Sequence, residues 1–366
     1  MNKKLSSGKR GSMQKKLFVI LLLLVLFLSG LNLAKARGWL IPEQPLPNVQ
    51  DKVIALNSLT LEQKIAQMIV VHGGLWNLEP WKRMQLGGIQ LYALQDAELY
   101  QETINKFQEN MTIPFLVTVD LEGCWNPFAN FKEFKAASEI ATIEEAEQKG
   151  KEEGKFLKEL GFTTNFAPVV DLNDEIWKCR SFPGNEENIT QLAEAYVKAL
   201  QEQGIMATVK HYPGKTLVAK DPHKFLVKAE ISTADLYPFI RLEQESGVKA
   251  LMVSHVISTG EVDSGGKPAT GSPEVFAGIK QNFSGLIISD EINMLGLKNY
   301  YASMDEMYVA VFKAGNDIIL DFSEDPQEVY RMIQVVKVAV EKGEISEEQI
   351  DASVKKILEM KGFTVV

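Results

Sequence analysis

The chain has 366 residues, a formal net charge of −9, 45% apolar residues and 24% charged residues. These fractions are close to those of soluble globular proteins and exclude a wholly disordered, collagen-like or coiled-coil chain. A net acidic protein is a poor electrostatic partner for phosphate backbones, so we expect no nucleic-acid ligand. Two cysteines and four histidines exclude a cysteine-rich scaffold and most zinc clusters.

The first 36 residues have the layout of a secretory signal. Six basic side chains precede an unbroken apolar run, Leu17–Leu28, and Ala34-Lys35-Ala36 matches an Ala-x-Ala cleavage site. The run is shorter than the roughly 20 apolar residues of a membrane span, so we predict cleavage, with an uncleaved membrane anchor as the alternative. Residues 37–50 are then a linker, and the mature protein is expected outside the cell or in the cell envelope, in contact with a membrane only if the anchor is retained.

Cleavage and export would change the net charge of the protein and would expose its two cysteines to an oxidising compartment. Loss of residues 1–36 removes seven basic and no acidic residues, which changes the net charge from −9 to −16. An oxidising compartment permits a disulfide between Cys124 and Cys179. A bridge requires Cα atoms within about 7 Å of each other, which the sequence does not reveal, so the pairing stays open at this point.

Eight short apolar runs alternate with amphipathic helical patterns beyond residue 50. Each run is almost continuously apolar, which is typical of parallel strands buried on both faces. The runs are Met68–Val71, Ile89–Tyr92, Phe115–Val119, Thr164–Ala167, Ala207–Val209, Ala250–Val253, Leu286–Ile288 and Asp317–Leu320. Eight strand–helix units without a linker predict a single α/β domain, a (β/α)8 TIM-type barrel over residues 51–366. A doubly wound open sheet is the competing architecture.

In a barrel of this type the active site lies at the carboxyl ends of the strands. The polar residues that follow the eight runs are therefore the candidates for a site. They are His72, Asp120, Asp171, Lys210, His211, Ser254, His255, Asp290 and Asp321. His72 and His255 could each be a core histidine bonded to a backbone carbonyl. This interpretation is at least as good as the interpretation that they are site residues.

A long loop follows the fifth run, from His211 to about Thr233. Connections in such folds usually have about 2–6 residues, and longer ones are often functional. The loop contains Asp221-Pro222-His223, in which the carboxylate could orient the imidazole as a proton donor or acceptor near neutral pH. From these residues alone, the alternative is that Asp221 and His223 are solvent-exposed loop side chains without a catalytic role.

Seven segments carry a set of motifs that occur in a fixed order. They are VTVDLEG (117–123), GFTTNFAPVVDLN (161–173), RSF (180–182), KHYPGKTLVAKDPH (210–223), GLIISDE (285–291), AGNDIIL (314–320) and EISEEQIDASVKKIL (344–358). With these motifs the chain resembles glycoside hydrolase family 3 over roughly residues 52–362, and most closely its single-domain β-N-acetylglucosaminidases. The family's loop motif, Lys-His-Phe-Pro-Gly-His-Gly-Asp-Thr-x-x-Asp-Ser-His, aligns with residues 210–223 without a gap.

The resemblance implies a catalytic set for retaining glycoside hydrolysis. Asp290 matches the nucleophile that forms a covalent glycosyl-enzyme, and His223, oriented by Asp221, matches the histidine acid/base of the N-acetylglucosaminidase branch. Taken by itself, Asp290 could instead be an N-cap that opens the next helix. Glu291 is adjacent to Asp290, but its side chain is expected to point elsewhere, and it is given no catalytic role.

Four further residues match positions that bind sugar hydroxyls in the family. They are Asp120, Arg180, Lys210 and His211. Fixed charged donors and acceptors recognise hydroxyl groups well, because the wrong sugar would leave them unpaired. The alternative is a purely structural salt bridge between the aspartate and one of the two cations.

The chain also departs from the family. The usual Glu-Gly-Gly-Arg is Glu122-Gly-Cys124-Trp125 here, so an expected arginine is missing, and four consecutive loop residues, 215–218, differ from the family motif. These changes leave the three catalytic side chains in place but alter the loop that carries two of them. Trp125 could instead provide a platform on which a sugar ring stacks, with an ordinary wall residue as the alternative.

The sequence therefore predicts an exported, monomeric, retaining β-N-acetylhexosaminidase that needs no cofactor and no metal ion. Its expected substrate is terminal β-linked N-acetylglucosamine on peptidoglycan-derived or chitin-type fragments. A β-glucosidase or β-xylosidase of the same family is one alternative. A sugar-binding protein that has lost catalysis through its altered loop is another.

Overall fold

A computed structural model of the chain describes residues 6–36, 40–215, 221 and 224–366. The predicted acid/base, His223, lies outside the described residues, as do its neighbour Pro222 and residues 216–220. Within the described part of the chain, no helix combines enough length and apolar character to cross a membrane.

Eight parallel strands close into a barrel, and each strand pairs with its neighbours in chain order. The strands are β1 (Ile69–His72), β2 (Gly88–Gln90), β3 (Leu116–Val119), β4 (Thr164–Asn165), β5 (Met206–Tyr212), β6 (Ala250–Val253), β7 (Leu286–Glu291) and β8 (Ile318–Asp321). The barrel closes because β8 pairs with β1 in parallel. All eight predicted runs are confirmed as strands, and the doubly wound alternative is wrong.

Helices surround this barrel and cover its strands, apart from the first helix, which precedes the barrel. Their bounds are α1 (Ser6–Ala36), α2 (Leu61–Gln67), α3 (Leu78–Met84), α4 (Ala97–Gln108), α5 (Ile143–Leu160), α6 (Glu186–Glu202), α7 (Thr233–Ser246), α8 (Pro273–Asn282), α9 (Leu295–Lys298), α10 (Met304–Ala314), α11 (Pro326–Glu341) and α12 (Glu347–Met360). The 31-residue α1 precedes the barrel and coincides with most of the segment interpreted as a secretory signal.

Local sequence signals explain where these helices begin and which face they bury. Thr60 and Gln63 form a reciprocal capping box at the start of α2. Ser346 caps α12 through the N–H of Gln349, although the return bond of a full box is not formed. Along α6 the apolar residues recur every three or four positions, so they form one stripe that packs against the barrel.

Two small sheets lie outside the barrel. Val49–Gln50, Val53–Ile54 and Thr364–Val365 form a three-stranded sheet that joins the two ends of the domain. Lys228–Ile231 pairs in parallel with Ile257–Gly260, so the described part of the long loop after β5 contains a short strand before α7 begins.

The register of the barrel shifts at two places, both near the carboxyl ends of strands. Between matched pairs, β7 has two residues (Ser289 and Asp290) where β8 has one. In the same way β5 has two residues (Lys210 and His211) where β6 has one. An extra residue of this kind interrupts the alternation of side chains between the two faces of a sheet, and it often occurs beside active sites.

A disulfide joins the loops that follow β3 and β4. Cys124 and Cys179 are bonded, with Cα atoms 6.0 Å apart and a sequence separation of 55. The pairing that the sequence left open is therefore made. In the first of these loops Gly123 has a φ of +94°, and a Cβ atom at this position would lie 2.1 Å from the carbonyl oxygen of Lys135, so only glycine fits.

Reduction of this disulfide should destabilise the folded protein. A closed loop of 55 residues corresponds to a loss of about 4 kcal/mol in the free energy of unfolding, according to the chain-entropy relation. Urea denaturation of the protein with and without reductant measures the change. The matched control is Cys124→Ala/Cys179→Ala, whose unfolding midpoint should not respond to reductant. Equal midpoints for the oxidised and reduced wild type would contradict the expectation.

Candidate active site

A cavity of about 420 Å³ opens at the carboxyl ends of the barrel strands. This volume lies within the range of pockets that bind small molecules. Its walls hold five of the seven residues proposed from the sequence: Asp120, Arg180, Lys210, His211 and Asp290. Among the described residues, eleven more line the cavity: Tyr92, Glu122, Trp125, Phe166, Trp177, Met252, Glu291, Asn293, Met294, Leu320 and Phe322.

One wall of the cavity is a cluster of four charged side chains. Glu122 accepts two hydrogen bonds from Arg180, at 2.6 Å from Nε and 2.9 Å from Nη2. The Nζ atom of Lys210 lies 2.6 Å from both Asp120 Oδ1 and Glu122 Oε1. Two carboxylates and two cations therefore balance, which is the condition under which charges tolerate burial.

The side chains of this cluster are buried, and their mutual attraction keeps them ionised. Glu122 and Lys210 are only 3% and 2% exposed. Burial alone would raise the pKa of Glu122, but the charges of Arg180 and Lys210 outweigh it and hold this pKa well below its usual range. Although burial opposes their positive charges, the carboxylates likewise raise the pKa values of Arg180 and Lys210. All three side chains stay ionised at neutral pH.

Asp120 is the member of the cluster that reaches the open side of the cavity. Its side chain is 22% exposed, against 1% for Glu122. Gln90, at the end of β2, donates to Asp120 Oδ2 over 2.8 Å and also binds the hydroxyl of Thr118. The structural salt bridge considered above does exist between Asp120 and Lys210, but the same carboxylate faces the cavity.

Asp290 lies at the end of β7 in the segment where the register shifts. It is 7% exposed, and its Oδ1 accepts the backbone N–H of Glu291 over 2.8 Å. The first α-helix after β7 begins only at Leu295, so Asp290 is not the N-cap of that helix.

The expectation that the Glu291 side chain points away from the site is wrong. Glu291 lines the same cavity as Asp290, directly after the segment of β7 in which the register shifts. Its Oε1 accepts backbone N–H groups from Asn293 and Phe322, at 2.7 and 3.3 Å. Burial raises the pKa of Glu291 to about 7.

His211 is held by a buried aspartate. Its Nδ1 donates to Asp171 Oδ2 over 2.7 Å, and Asp171 is fully buried. The bond fixes the ring so that the other nitrogen, Nε2, is the one available to a ligand. Lys210 and His211 are adjacent yet both line the cavity, which follows from the shifted register of β5.

Asp221 is described, but it is not among the residues that line the cavity. Its Oδ2 lies 3.4 Å from Lys224 Nζ, and its carbonyl oxygen accepts the backbone N–H groups of Lys224 and Phe225. The pairing of Asp221 with His223 therefore stays a prediction, because His223 lies outside the described residues.

The two remaining histidines have structural surroundings. His72 Nδ1 lies 2.9 Å from Glu324, and its ring packs edge-on against Trp76 and Tyr92. His255 is buried and contacts Thr270 Oγ1 and the carbonyl oxygen of Glu291. Neither is among the described residues that line the cavity. His255 agrees with the core interpretation, whereas His72 is only partly buried and pairs with a carboxylate in place of a backbone carbonyl.

Sequence reasoning missed several residues of the site. Glu122 was visible only as part of a motif, although it forms the centre of the charged cluster. Asn165 was not singled out, yet its side chain binds both the N–H and the carbonyl oxygen of Leu121, at 2.9 Å each, and so fixes the segment that carries Asp120 and Glu122. A polar residue within an apolar strand was the signal that could have identified it.

The raised pKa of Glu291 should make stability depend on pH. Between the ordinary value of 4.5 and about 7, the folded protein holds a proton that the unfolded chain has released. The free energy of unfolding should therefore fall by up to about 3 kcal/mol as the pH rises through this window. Glu291→Gln should remove this fall, as measured by urea denaturation at pH 5 and pH 7.5.

The matched control for this measurement is Glu261→Gln, because Glu261 is exposed. Burial also raises the pKa of Asp321, and its charge repels that of Glu291, so Glu291→Gln removes both the titration of Glu291 and this coupling, whereas Glu261→Gln leaves both in place. If wild type and Glu291→Gln lose the same stability between the two pH values, the assignment of the titration to Glu291 is wrong.

Comparison with known proteins places this geometry in a family. Residues 60–360 match the glycosyl hydrolase family 3 N terminal domain. The β-hexosaminidase of Haemophilus influenzae is 31% identical over 245 residues, which are 62% of this chain and 69% of that protein.

Two solved structures share the fold. A glycosyl hydrolase family 3 member from Mycobacterium smegmatis is 25% identical, with a TM-score of 0.75 over 84% of this chain and 98% of that one. A family 3 β-N-acetylglucosaminidase from Paenibacillus is 26% identical, with a TM-score of 0.74 over 83% of this chain and 62% of that one. The family match includes all eight barrel strands and the charged cavity at their carboxyl ends, so the chain belongs to glycosyl hydrolase family 3 and is a glycoside hydrolase.

Proposed function

We propose that the protein is an exported, retaining β-N-acetylhexosaminidase that removes terminal β-linked N-acetylglucosamine. The observation that carries the proposal is the Asp290 carboxylate, which lies at the end of β7 in a cavity whose wall is the charged cluster of Asp120, Glu122, Arg180 and Lys210. The names of the relatives, a β-hexosaminidase and a β-N-acetylglucosaminidase, support the choice of sugar.

The proposed reaction has two steps. Asp290 Oδ attacks the anomeric carbon while His223 gives a proton to the leaving oxygen, so the glycosidic bond breaks and a glycosyl-enzyme ester forms. Water then attacks the same carbon, His223 takes its proton, and the ester bond to Asp290 breaks. The proton count is restored after each cycle, and no cofactor is needed.

The charged wall suits the recognition of the sugar hydroxyls. Asp120 offers a carboxylate acceptor at the open side, whereas Arg180 and Lys210 offer N–H donors from positions fixed by the buried Glu122. In neutral His211, whose Nδ1 donates to the buried Asp171, Nε2 offers an acceptor for a sugar hydroxyl. Groups fixed in this way need no reorganisation when the sugar binds. A sugar without the matching hydroxyl would leave buried polar atoms unpaired, which is the source of selectivity.

The proposed export of the protein limits its natural substrates to glycans found outside the cytoplasm. The basic and apolar N-terminal segment supports export, and the strongly acidic remainder suits a protein that stays off anionic surfaces. Chitin-type and peptidoglycan-derived fragments are the glycans rich in β-linked N-acetylglucosamine that an exported enzyme would meet. We therefore propose fragments of this kind as the substrate class.

Asp290→Asn should abolish turnover of a chromogenic N-acetylglucosaminide, with kcat/KM reduced on the order of 10³-fold or more, because the proposed nucleophile of the ester is removed. Asp263→Asn, at an exposed turn, is the matched control. Wild type incubated with a fluorinated N-acetylglucosaminyl fluoride should gain the mass of one sugar, and peptide mapping should locate it on Asp290.

Three outcomes count against this assignment. A label on another residue rejects Asp290 as the nucleophile, and an unlabelled protein that still turns over substrate rejects the covalent route. Faster hydrolysis of an aryl glucoside or xyloside than of the N-acetyl analogue would favour the other hydrolases of the family.

His223→Gln should affect substrates according to their leaving group. For an alkyl N-acetylglucosaminide, which needs a proton on the departing oxygen, kcat/KM should fall roughly 10²- to 10⁴-fold, whereas the fall should be far smaller for an activated aryl glycoside. Steady-state kinetics on the two substrates measures the difference. His72→Gln is the matched control, since His72 lies beside Glu324 and outside the cavity. An equal loss of kcat/KM on both substrates would show that His223 is not the general acid.

A further inference from the structure

Two tryptophans form a second wall of the cavity that the reaction described above does not use. Trp125 lies in the loop after β3 and Trp177 in the loop after β4, and both line the cavity. Their ring centroids are 5.9 Å apart, and the ring planes meet at 70°. Rings in this edge-on arrangement cannot cover both faces of each other, so Trp125, which is 49% exposed, keeps aromatic surface open at the mouth.

The position of this tryptophan pair is fixed by covalent and polar contacts. The disulfide joins Cys124, the neighbour of Trp125, to Cys179, two residues after Trp177. The carbonyl oxygen of Trp125 accepts the backbone N–H of Glu122 over 3.0 Å. Trp125 is therefore tied directly to the charged cluster.

Asp174 organises the second loop in the same way. Its carboxylate accepts the backbone N–H groups of Trp177, Cys179 and Arg180, at 2.9, 3.1 and 2.9 Å. One side chain thus holds the tryptophan, the disulfide and the arginine of the charged cluster in a single loop conformation. An exposed aromatic residue held this rigidly loses little conformational entropy when it binds a ligand.

The two walls differ in the chemistry they offer. The charged cluster lies on the wall where Asp120, Arg180 and Lys210 can hold the hydroxyls of the sugar under attack. The tryptophan pair offers no charge, but its flat apolar faces match the C–H face of a pyranose ring. Because the enzyme family acts on glycosides, the group that leaves from this cavity passes its mouth, where Trp125 is exposed.

We propose that Trp125 and Trp177 form the subsite for the leaving-group sugar, and that this subsite selects substrates whose leaving group is a second pyranose ring. The inference rests on the proposed function, because it assumes that Asp290 attacks an N-acetylglucosaminide in this cavity. It makes the two tryptophans determinants of specificity rather than catalytic residues. The ligand class is a disaccharide or longer oligosaccharide with a β-linked terminal N-acetylglucosamine.

The test compares two substrates with similar alkoxide leaving groups. N,N′-diacetylchitobiose carries a second ring, whereas methyl β-N-acetylglucosaminide carries none. Trp125→Ala should lower the ratio of kcat/KM for the disaccharide to kcat/KM for the methyl glycoside by about tenfold, which is the fold-change expected for the loss of one aromatic contact. Trp125→Phe should restore most of the ratio, because it keeps an aromatic face.

Trp76→Ala is the matched control. Trp76 is also an exposed tryptophan, at 56%, but it does not line the cavity, so this variant should keep the wild-type ratio. An unchanged ratio in Trp125→Ala, or an equal change in Trp76→Ala, overturns the subsite. Wild type that hydrolyses neither substrate rejects the proposed function instead, so the two failures can be told apart.

Discussion

The site depends on one buried carboxylate, Glu122, which lies between two cations. Arg180 comes from the loop after β4 and Lys210 from β5, and each would be an uncompensated buried charge without Glu122. Through Lys210 the cluster also holds Asp120, the member that faces the cavity. A single ionised group thus brings three strand ends into one rigid arrangement, and it stays ionised because the charges of the two cations outweigh its burial.

Contacts on both sides of Glu122 hold its backbone in a fixed position. Asn165 clamps the backbone of Leu121, directly before Glu122, and the disulfide ties the following residues to the loop that carries Arg180. Extra residues also shift the register of β5, within the charged cluster, and of β7, which carries Asp290. A cavity with preset charges and walls is what a reaction with an oxocarbenium-like transition state requires, because little reorganisation remains to be done when the substrate binds.

The departures from the family fall in the parts of the site that the barrel does not determine. Glu122, Arg180 and Lys210 are retained in the rigid cluster, whereas the changes at Cys124, Trp125 and residues 215–218 lie in loops. Loops that extend from a fixed scaffold can change without loss of the fold, and they carry specificity for that reason. The disulfide and the two tryptophans give this cavity an apolar wall that is fixed by a covalent bond.

The amino-acid sequence by itself determined the barrel and most of the candidate residues. Continuous apolar runs specify buried parallel strands, and the polar residue after each run marks the end where a site can form, so Asp120, Lys210, His211 and Asp290 could be named in advance. Only the tertiary structure decided that Cys124 meets Cys179, that Glu122 is the centre of the cluster and that Glu291 faces the cavity. These facts depend on the distance between loops far apart in sequence and on single-residue register shifts between strands, and no local pattern encodes either of them.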